Sequence, residues 1–237
     1  MQIYIVCKNA NQRLRQIRME RDYRSLVFDF SEAPGPIRED IVSALRGTWE
    51  HLARPGTWWD AGERRRIAEV ARAARMRLPE PATDLPAAAV ATSSLLAATP
   101  AQTSEAWVGE RVAALGEEHY VEILGITTRV VAADTFLRLL GSPPEPFLDP
   151  EPGQPSEEAV EPRPQRIRSW IAVGNTLAPP FTQALVPSEN AATNRLVHAL
   201  YMTGEEMDDP DFRRGDLHRT QIEVAASTLS HSNECFY

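Results

Sequence analysis

Apolar residues recur every three or four positions along most of this chain, and that period predicts helices. Ile37, Ile41, Val42 and Leu45 share one face of a segment that opens at Pro36 and closes at Pro55-Gly56. Trp58-Trp59 leads into Ala61-Gly62-Glu63, after which Ile67, Val70, Ala71 and Ala74 mark a second amphipathic helix. The run Arg64-Arg65-Arg66 is expected on its wet face, and Pro79 and Pro81 stop it. Residues 79–104 are rich in Ala, Pro, Ser and Thr and fit either a mobile connection or one short Ala-rich helix near 87–98. Tyr120, Ile123, Leu124, Thr127, Val130, Val131, Asp134 and Leu137 keep the spacing as far as Gly141, with Pro143-Pro144 as the expected stop.

Between 143 and 164 the pattern fails: eight prolines and six acidic residues fall in 22 positions, a composition that stays extended and suggests a linker. After it, 167–173 has a helical start that Pro179-Pro180 breaks, and Pro187-Ser188-Glu189-Asn190 is a cap before a helix over 191–201. A turn at Met207-Asp208-Asp209-Pro210 precedes a last periodic run with Ile222, Ala225, Ala226 and Leu229 on one face. Strand signals are nearly absent, so the expected fold class is all-α. Residues 1–30, with a basic stretch over 13–24, share little with the rest and are expected to be an N-terminal extension. The expected units are then 31–142, the linker 143–164, and 165–237.

The 237 residues are 43% hydrophobic and 24% charged, enough for one or two packed cores. Lys plus Arg number 25 against 33 for Asp plus Glu, and the net charge of −8 disfavours nucleic acid and anionic membranes as partners. No apolar run approaches the roughly 18 residues of a membrane span. The opening MQIYIVCKNANQ lacks a basic lead and a small-residue cleavage site, so a cytoplasmic location is expected. The two cysteines, Cys7 and Cys235, lie far apart, and in a reducing compartment a reactive thiol is favoured over a structural disulfide.

The end of the chain, Ser232-Asn233-Glu234-Cys235-Phe236-Tyr237, spaces Cys235 as the first half of a Cys-x-x-Cys pair whose partner is residue 238. A thiol attacks peroxides or disulfides as thiolate and needs help to ionise at neutral pH. Ser230-His231-Ser232-Asn233 is polar enough to interrupt the preceding helix, and Asn233 suits an N-cap that puts Cys235 in a new first turn. The break matters for Glu223, twelve residues before Cys235. Unbroken helix would separate the two by about 18 Å, so only a reversal near His231 brings the carboxylate towards the sulfur.

Gln221-Ile222-Glu223-Val224-Ala225, Leu229-Ser230 and Asn233-Glu234-Cys235-Phe236-Tyr237 together resemble the signature of the alkylhydroperoxidase D-like and carboxymuconolactone decarboxylase superfamily, peroxidase branch. The resemblance makes Glu223 the relay carboxylate and Cys235 the resolving cysteine. It puts the peroxidatic residue at 238 and a relay histidine at 242, so the 237-residue form lacks the complete pair and is expected to be inactive. Members with Cys-x-x-selenocysteine suggest that the stop is a misread selenocysteine codon, with an ordinary truncation as the alternative. More loosely, Gly56-Thr57-Trp58-Trp59 with Glu63-Arg64, and Glu118-His119-Tyr120-Val121-Glu122-Ile123, look like a first, redox-silent repeat, the second being truncated.

The implied activity is reduction of organic hydroperoxides or hydrogen peroxide, reset by an external dithiol, in a homo-oligomer without a bound cofactor. The alternatives are an inactive all-α oligomerisation module and a lactone decarboxylase, the latter disfavoured because that branch does not rely on such a pair. Taken alone, Cys235 fits a buried small hydrophobe and Glu223 a surface carboxylate. His231 suits a capping role, and Trp58-Trp59 the cover of a core. His51, His119, His198 and His218 show no metal-ligand spacing, and no metal is expected.

Overall fold

Acidic first turns, capping boxes and small-residue faces build the helices of this chain. Its computed structural model describes residues 28, 30, 33–167, 169–174 and 183–232. Among these the architecture is all-α: eight α-helices, one short 3-10 turn at Pro100–Gln102 and a two-residue hairpin.

Helix α1, Glu39–Leu52, starts with Glu39 and Asp40 in its first turn, where carboxylates suit the positive end of the helix dipole. Its buried face is Val42, Leu45, Thr48, Trp49 and Leu52. Helix α2, Ala61–Met76, opens with a capping box in which the Asp60 carboxylate accepts from the Glu63 N–H at 2.7 Å and Glu63 accepts from the Asp60 N–H at 2.9 Å. It stops where Arg77 turns left-handed, at φ 55. Its alanines let α3, Ala87–Ala98, approach until Ser93 Oγ donates to the Ile67 carbonyl at 3.0 Å. The Ala-rich stretch is therefore a helix, packed on α2 and not a mobile connection.

Ser104 caps α4, Glu105–Leu115, which the periodicity did not announce. The 23-residue α5, Glu117–Leu139, has α2, α3, α4 and α6 packed around it, which explains why buried residues occupy most of its sides. Residues 143–164 carry no helix or strand and form a strap across this body. The strap's Phe147 ring stacks on Trp49 at 5.7 Å, the Trp49 indole donates to the Pro146 carbonyl at 3.0 Å, and the Glu151 N–H donates to the Ala53 carbonyl at 2.7 Å.

The described residues of the segment 167–173 are not in the helix that the pattern suggested. Ile171, Ala172 and Val173 are buried against Val108, Tyr120 and Val121 instead. Their backbone is satisfied from elsewhere: Ala172 N–H donates to Glu117 Oε1 at 2.9 Å and Val173 N–H to the Gln165 carbonyl at 3.1 Å. Helix α6, Pro187–Leu200, then packs on α1 and α5 with Leu196 in the same cluster as Leu45, Trp49 and Phe28. The core thus draws on both sides of the strap and takes in Phe28, ahead of Ser31. Beyond α6 come α7, Gly204–Asp208, the hairpin β1, Arg213–Arg214, with β2, Leu217–His218, and α8, Arg219–Ser232, which buries none of its residues.

Candidate functional site

Of the two residues singled out for chemistry, Glu223 is on α8 and Cys235 lies outside the described residues, as do Asn233 and any turn there. The polar run Ser230-His231-Ser232 does not interrupt α8, which continues through Ser232. Any reversal towards Glu223 therefore has to come after Ser232, about 14 Å along the axis from Glu223 at 1.5 Å per residue. Glu223 is part-exposed, and two side chains hold it: Tyr201 Oη donates to Oε2 at 2.7 Å, and Arg219 Nε stands 3.8 Å from Oε1. Tyr201 follows the last residue of α6, and burial first, then Glu223, pushes its phenol up to about 12.

A second constellation, absent from the sequence reading, lies where α1, α2, α5 and α6 meet. Arg64 of α2 donates from Nη1 to Oε1 of Glu122 on α5, and the same nitrogen stands 2.9 Å from Oε1 of Glu189 on α6 as an ion pair. Arg129, two turns past Glu122 on α5, donates to Glu189 Oε2, to the Glu189 carbonyl at 3.2 Å and to Thr193 Oγ1 at 3.1 Å. The Trp58 N–H donates to Glu122 Oε2 at 2.7 Å, and His51 Nε2 of α1 pairs with Glu189 Oε1 at 2.6 Å. The four charged side chains of α2, α5 and α6 are 0% exposed, leaving His51, at 19%, as the cluster's edge towards water.

Two glycines make room for the carboxylates. A Cβ at Gly56 would collide with Glu122 Oε1 and Arg64 Nη1, and one at Gly125 would lie 2.9 Å from Glu189 Oε2. Two guanidinium groups face two carboxylates, so the cluster is neutral when both acids are ionised. Burial, with the neighbouring Glu189 charge, pushes Glu122 up to about 7 against the pull of Arg64. Burial would raise Glu189 too, but Arg129, Arg64 and His51 hold it well below the carboxylate range. Burial depresses His51 despite its bond to Glu189. Arg64 was expected on a wet helix face, and this is corrected: positions 61, 64, 67 and 71 share the buried face of α2, and two carboxylates repay its desolvation.

Such a cluster fastens α6 to the body, although Nε of both Arg64 and Arg129 is buried without a hydrogen-bond partner among the described residues. Its signals were present in the sequence: Arg64 in register with Ile67, and Glu122 between Val121 and Ile123 in an apolar run. Trp58 and Trp59 do cover core, with the His119 ring 5.4 and 5.2 Å from theirs. Among the described residues no three His, Cys, Asp or Glu side chains converge as a metal site, and no helix is long and apolar enough to cross a membrane. No family model, curated protein or solved structure matches the chain.

Proposed function

We propose that this chain is a thiol- or selenol-dependent peroxidase of the alkylhydroperoxidase D-like kind, acting on organic hydroperoxides or hydrogen peroxide. The observation that supports it most is the bond from Tyr201 Oη to Glu223 Oε2 at 2.7 Å: a part-exposed carboxylate, carried by the helix that leads to Cys235, is held by a neutral donor at the end of α6. In the reaction a thiolate attacks the peroxide, an S–O bond forms as the O–O bond breaks, and sulfur is oxidised to the sulfenic acid. Glu223 takes the thiol proton and returns it to the departing alkoxide, releasing alcohol or water. With a thiol or selenol at position 238 as the attacking group, Cys235 condenses with the oxidised partner, expels water, and leaves a bridge that an external dithiol reduces by exchange. In the same reading, 31–142 is the silent first repeat and 165–237 the second, and the protein works as a homo-oligomer in the cytoplasm.

The test is consumption of cumene hydroperoxide, with dithiothreitol as reductant, by three proteins: the 237-residue chain, its Cys235→Ser variant, and a chain extended with cysteine at 238 and histidine at 242. We expect turnover by the extended chain and little or none by the 237-residue chain or its Cys235→Ser variant. No gain on extension overturns the reading.

A second reading, an oligomerisation module without catalysis, has its own support. Val224 and Leu229 of α8 are 62% and 63% exposed on a helix with no buried residue. Sedimentation velocity of the chain and of Val224→Asp/Leu229→Asp decides it: an oligomer that the double variant dissolves, together with absent peroxide turnover, favours the module.

A further inference from the structure

Helices α2 and α5 run side by side in the same direction. Arg64 pairs with Glu122 near their N-terminal ends, and Arg72 with Asp134 near their C-terminal ends, the latter at 2.7 and 3.0 Å. The sixteen residues of α2 set those ends about 24 Å apart. The strap follows the same axis in reverse. Its Glu145 carbonyl accepts from Arg72 at 3.0 Å, Asp149 accepts from Arg65 at 3.1 Å, and the N–H groups of Ser156 and Glu157 donate to the Gly56 and Thr57 carbonyls at 3.3 and 2.8 Å. Its later part therefore lies at the N-terminal ends of both helices, where Arg163 and Arg166 neutralise Glu117 and Glu118.

The two ends carry opposite free charge. At the C-terminal end Arg75, Arg77 and Arg138 are exposed, and none of their side chains meets a carboxylate among the described residues. Asp134 is taken up by Arg72, and Glu80 is exposed without reaching any of the three. Leu78 and Leu139, next in sequence to Arg77 and Arg138, are 56% and 77% exposed. A cleft of about 10 Å³ lies between Arg75 and Arg138, room for one water-sized group such as a carboxylate oxygen. At the N-terminal end Glu157, Glu158 and Glu161 are exposed, and no arginine among the described residues pairs with them. Trp170, 43% exposed, stands two residues before Ala172, whose N–H donates to Glu117 at this same end. The helix dipoles favour arginines at their C-termini, which accounts for where Arg75 and Arg138 sit and leaves their outward charge unanswered.

We propose that the chain associates head to tail with a second copy of itself, the arginine end of one protomer receiving the glutamate end of the next. Charge complementarity selects this occupant. At a net charge of −8 two copies repel in most orientations, whereas Arg75, Arg77 and Arg138 set against Glu157, Glu158 and Glu161 attract. Leu78 and Leu139 on one side and Trp170 on the other add apolar surface to the contact. Because the two ends differ and lie at opposite ends of α2, the contact is heterologous and continues past a dimer into a ring or an open chain. The inference goes beyond the peroxidase reading and uses neither its redox residues nor α8.

Sedimentation velocity of the full chain over a concentration series, at about 50 mM and about 500 mM salt, tests it. We expect a weight-average sedimentation coefficient that rises past the dimer value at low salt and falls towards the monomer at high salt. Arg75→Glu/Arg138→Glu and Glu157→Arg/Glu158→Arg/Glu161→Arg should each weaken association at least tenfold, since each variant presents like charge at both ends. Mixed in equal amounts, the two should associate again, each supplying the end that the other lacks. All five positions are exposed, and circular dichroism checks that each variant is folded.

A parent chain that stays monomeric at both salts overturns the proposal; if that monomer binds poly-glutamate and Arg75→Glu/Arg138→Glu does not, the arginine end belongs to an acidic partner instead. An oligomer that neither reversal weakens also overturns it, and one that Val224→Asp/Leu229→Asp dissolves moves the contact to α8. Folded variants that fail to associate on mixing overturn the pairing of the two ends. None of these outcomes depends on peroxide turnover.

Discussion

Helices α2 and α8 share the run Arg-x-x-x-Glu-Val-Ala, at 65–71 and 219–225, and fold into opposite surroundings. Both place the arginine and glutamate one turn apart as an ion pair, at 3.0 Å in α2 and 3.8 Å in α8. In α2 the valine is 1% exposed and the alanine 0%, whereas in α8 the valine is 62% exposed. The run itself does not decide burial. Two neighbours, α3 and α5, cover α2, and a buried arginine one residue before the run locks it to α5 and α6. Helix α8 has the hairpin beside it and one tyrosine reaching its glutamate. The clothed copy carries stability, and the bare one keeps a carboxylate open to water.

The harshest way to break this contrast is to remove an acid from each surrounding. Glu189→Ala strips Arg64, Arg129 and His51 of their shared partner, and an uncompensated buried charge costs about 3–5 kcal/mol. Glu223→Ala should change the unfolding free energy by less than about 0.5 kcal/mol. Urea denaturation followed by circular dichroism measures both, and similar losses would show that α8 is as integral to the body as α6.

The two valines sharpen the point without any charge. Val70→Ala removes buried methyl groups and should cost about 2 kcal/mol, the transfer loss plus a small cavity. Val224→Ala takes apolar surface from water and should lie within about 0.5 kcal/mol of the parent. A loss near 2 kcal/mol at Val224 in the monomer would mean that its face is covered.

Acidity tests the wall that α2 leans on. The folded chain binds a proton at Glu122 more tightly than the unfolded chain, with a midpoint near 7 against the ordinary 4.5. That contribution to stability is greatest at low pH and drains away as pH rises from about 4.5 to 7. His51 and Glu189 act in the opposite sense, since both are depressed and cost stability as pH falls. Glu122→Gln removes only the first dependence. Relative to the parent, it should therefore gain on the order of 2 kcal/mol between pH 5 and pH 8, read from urea midpoints at the two values. An unchanged difference would mean that Glu122 stays ionised throughout.

How far the sequence speaks depends on contrast. Periodicity announces α1, α2, α5, α6 and α8 because apolar and polar positions alternate there at helical spacing. It is mute over 87–98, where alanine fills every face, and only the packing on α2 shows a helix. It misleads at 167–173, where Glu117 and Gln165 satisfy a backbone that a helix would have satisfied internally. A charge in an apolar register, as at Arg64, reads as a wet-face residue because the partners that repay its burial come from other helices, 58 residues away at Glu122. The bond between Tyr201 and Glu223 spans 22 residues across a hairpin, and no local pattern encodes it.

The smallest expected effect concerns the feature that the two helices share most closely. Arg65 pairs with Glu69 at 3.0 Å and reaches Asp149 of the strap at 3.1 Å, so one guanidinium joins a helix to the segment lying over it. Among the described residues the charge paired with Arg219 is Glu223, at 3.8 Å and part-exposed. Exposed pairs contribute about 0.2–1 kcal/mol, with the larger values for good geometry and more than one partner. Arg65→Gln should thus cost up to about 1 kcal/mol and Arg219→Gln less than about 0.5. Salt at 0.5 M should shrink the first loss, because screening acts on part-exposed charges. If Arg219→Gln proves the costlier of the two, the pair on α8 is sheltered by something that its bare surroundings do not provide, and the contrast between the helices fails at its most local point.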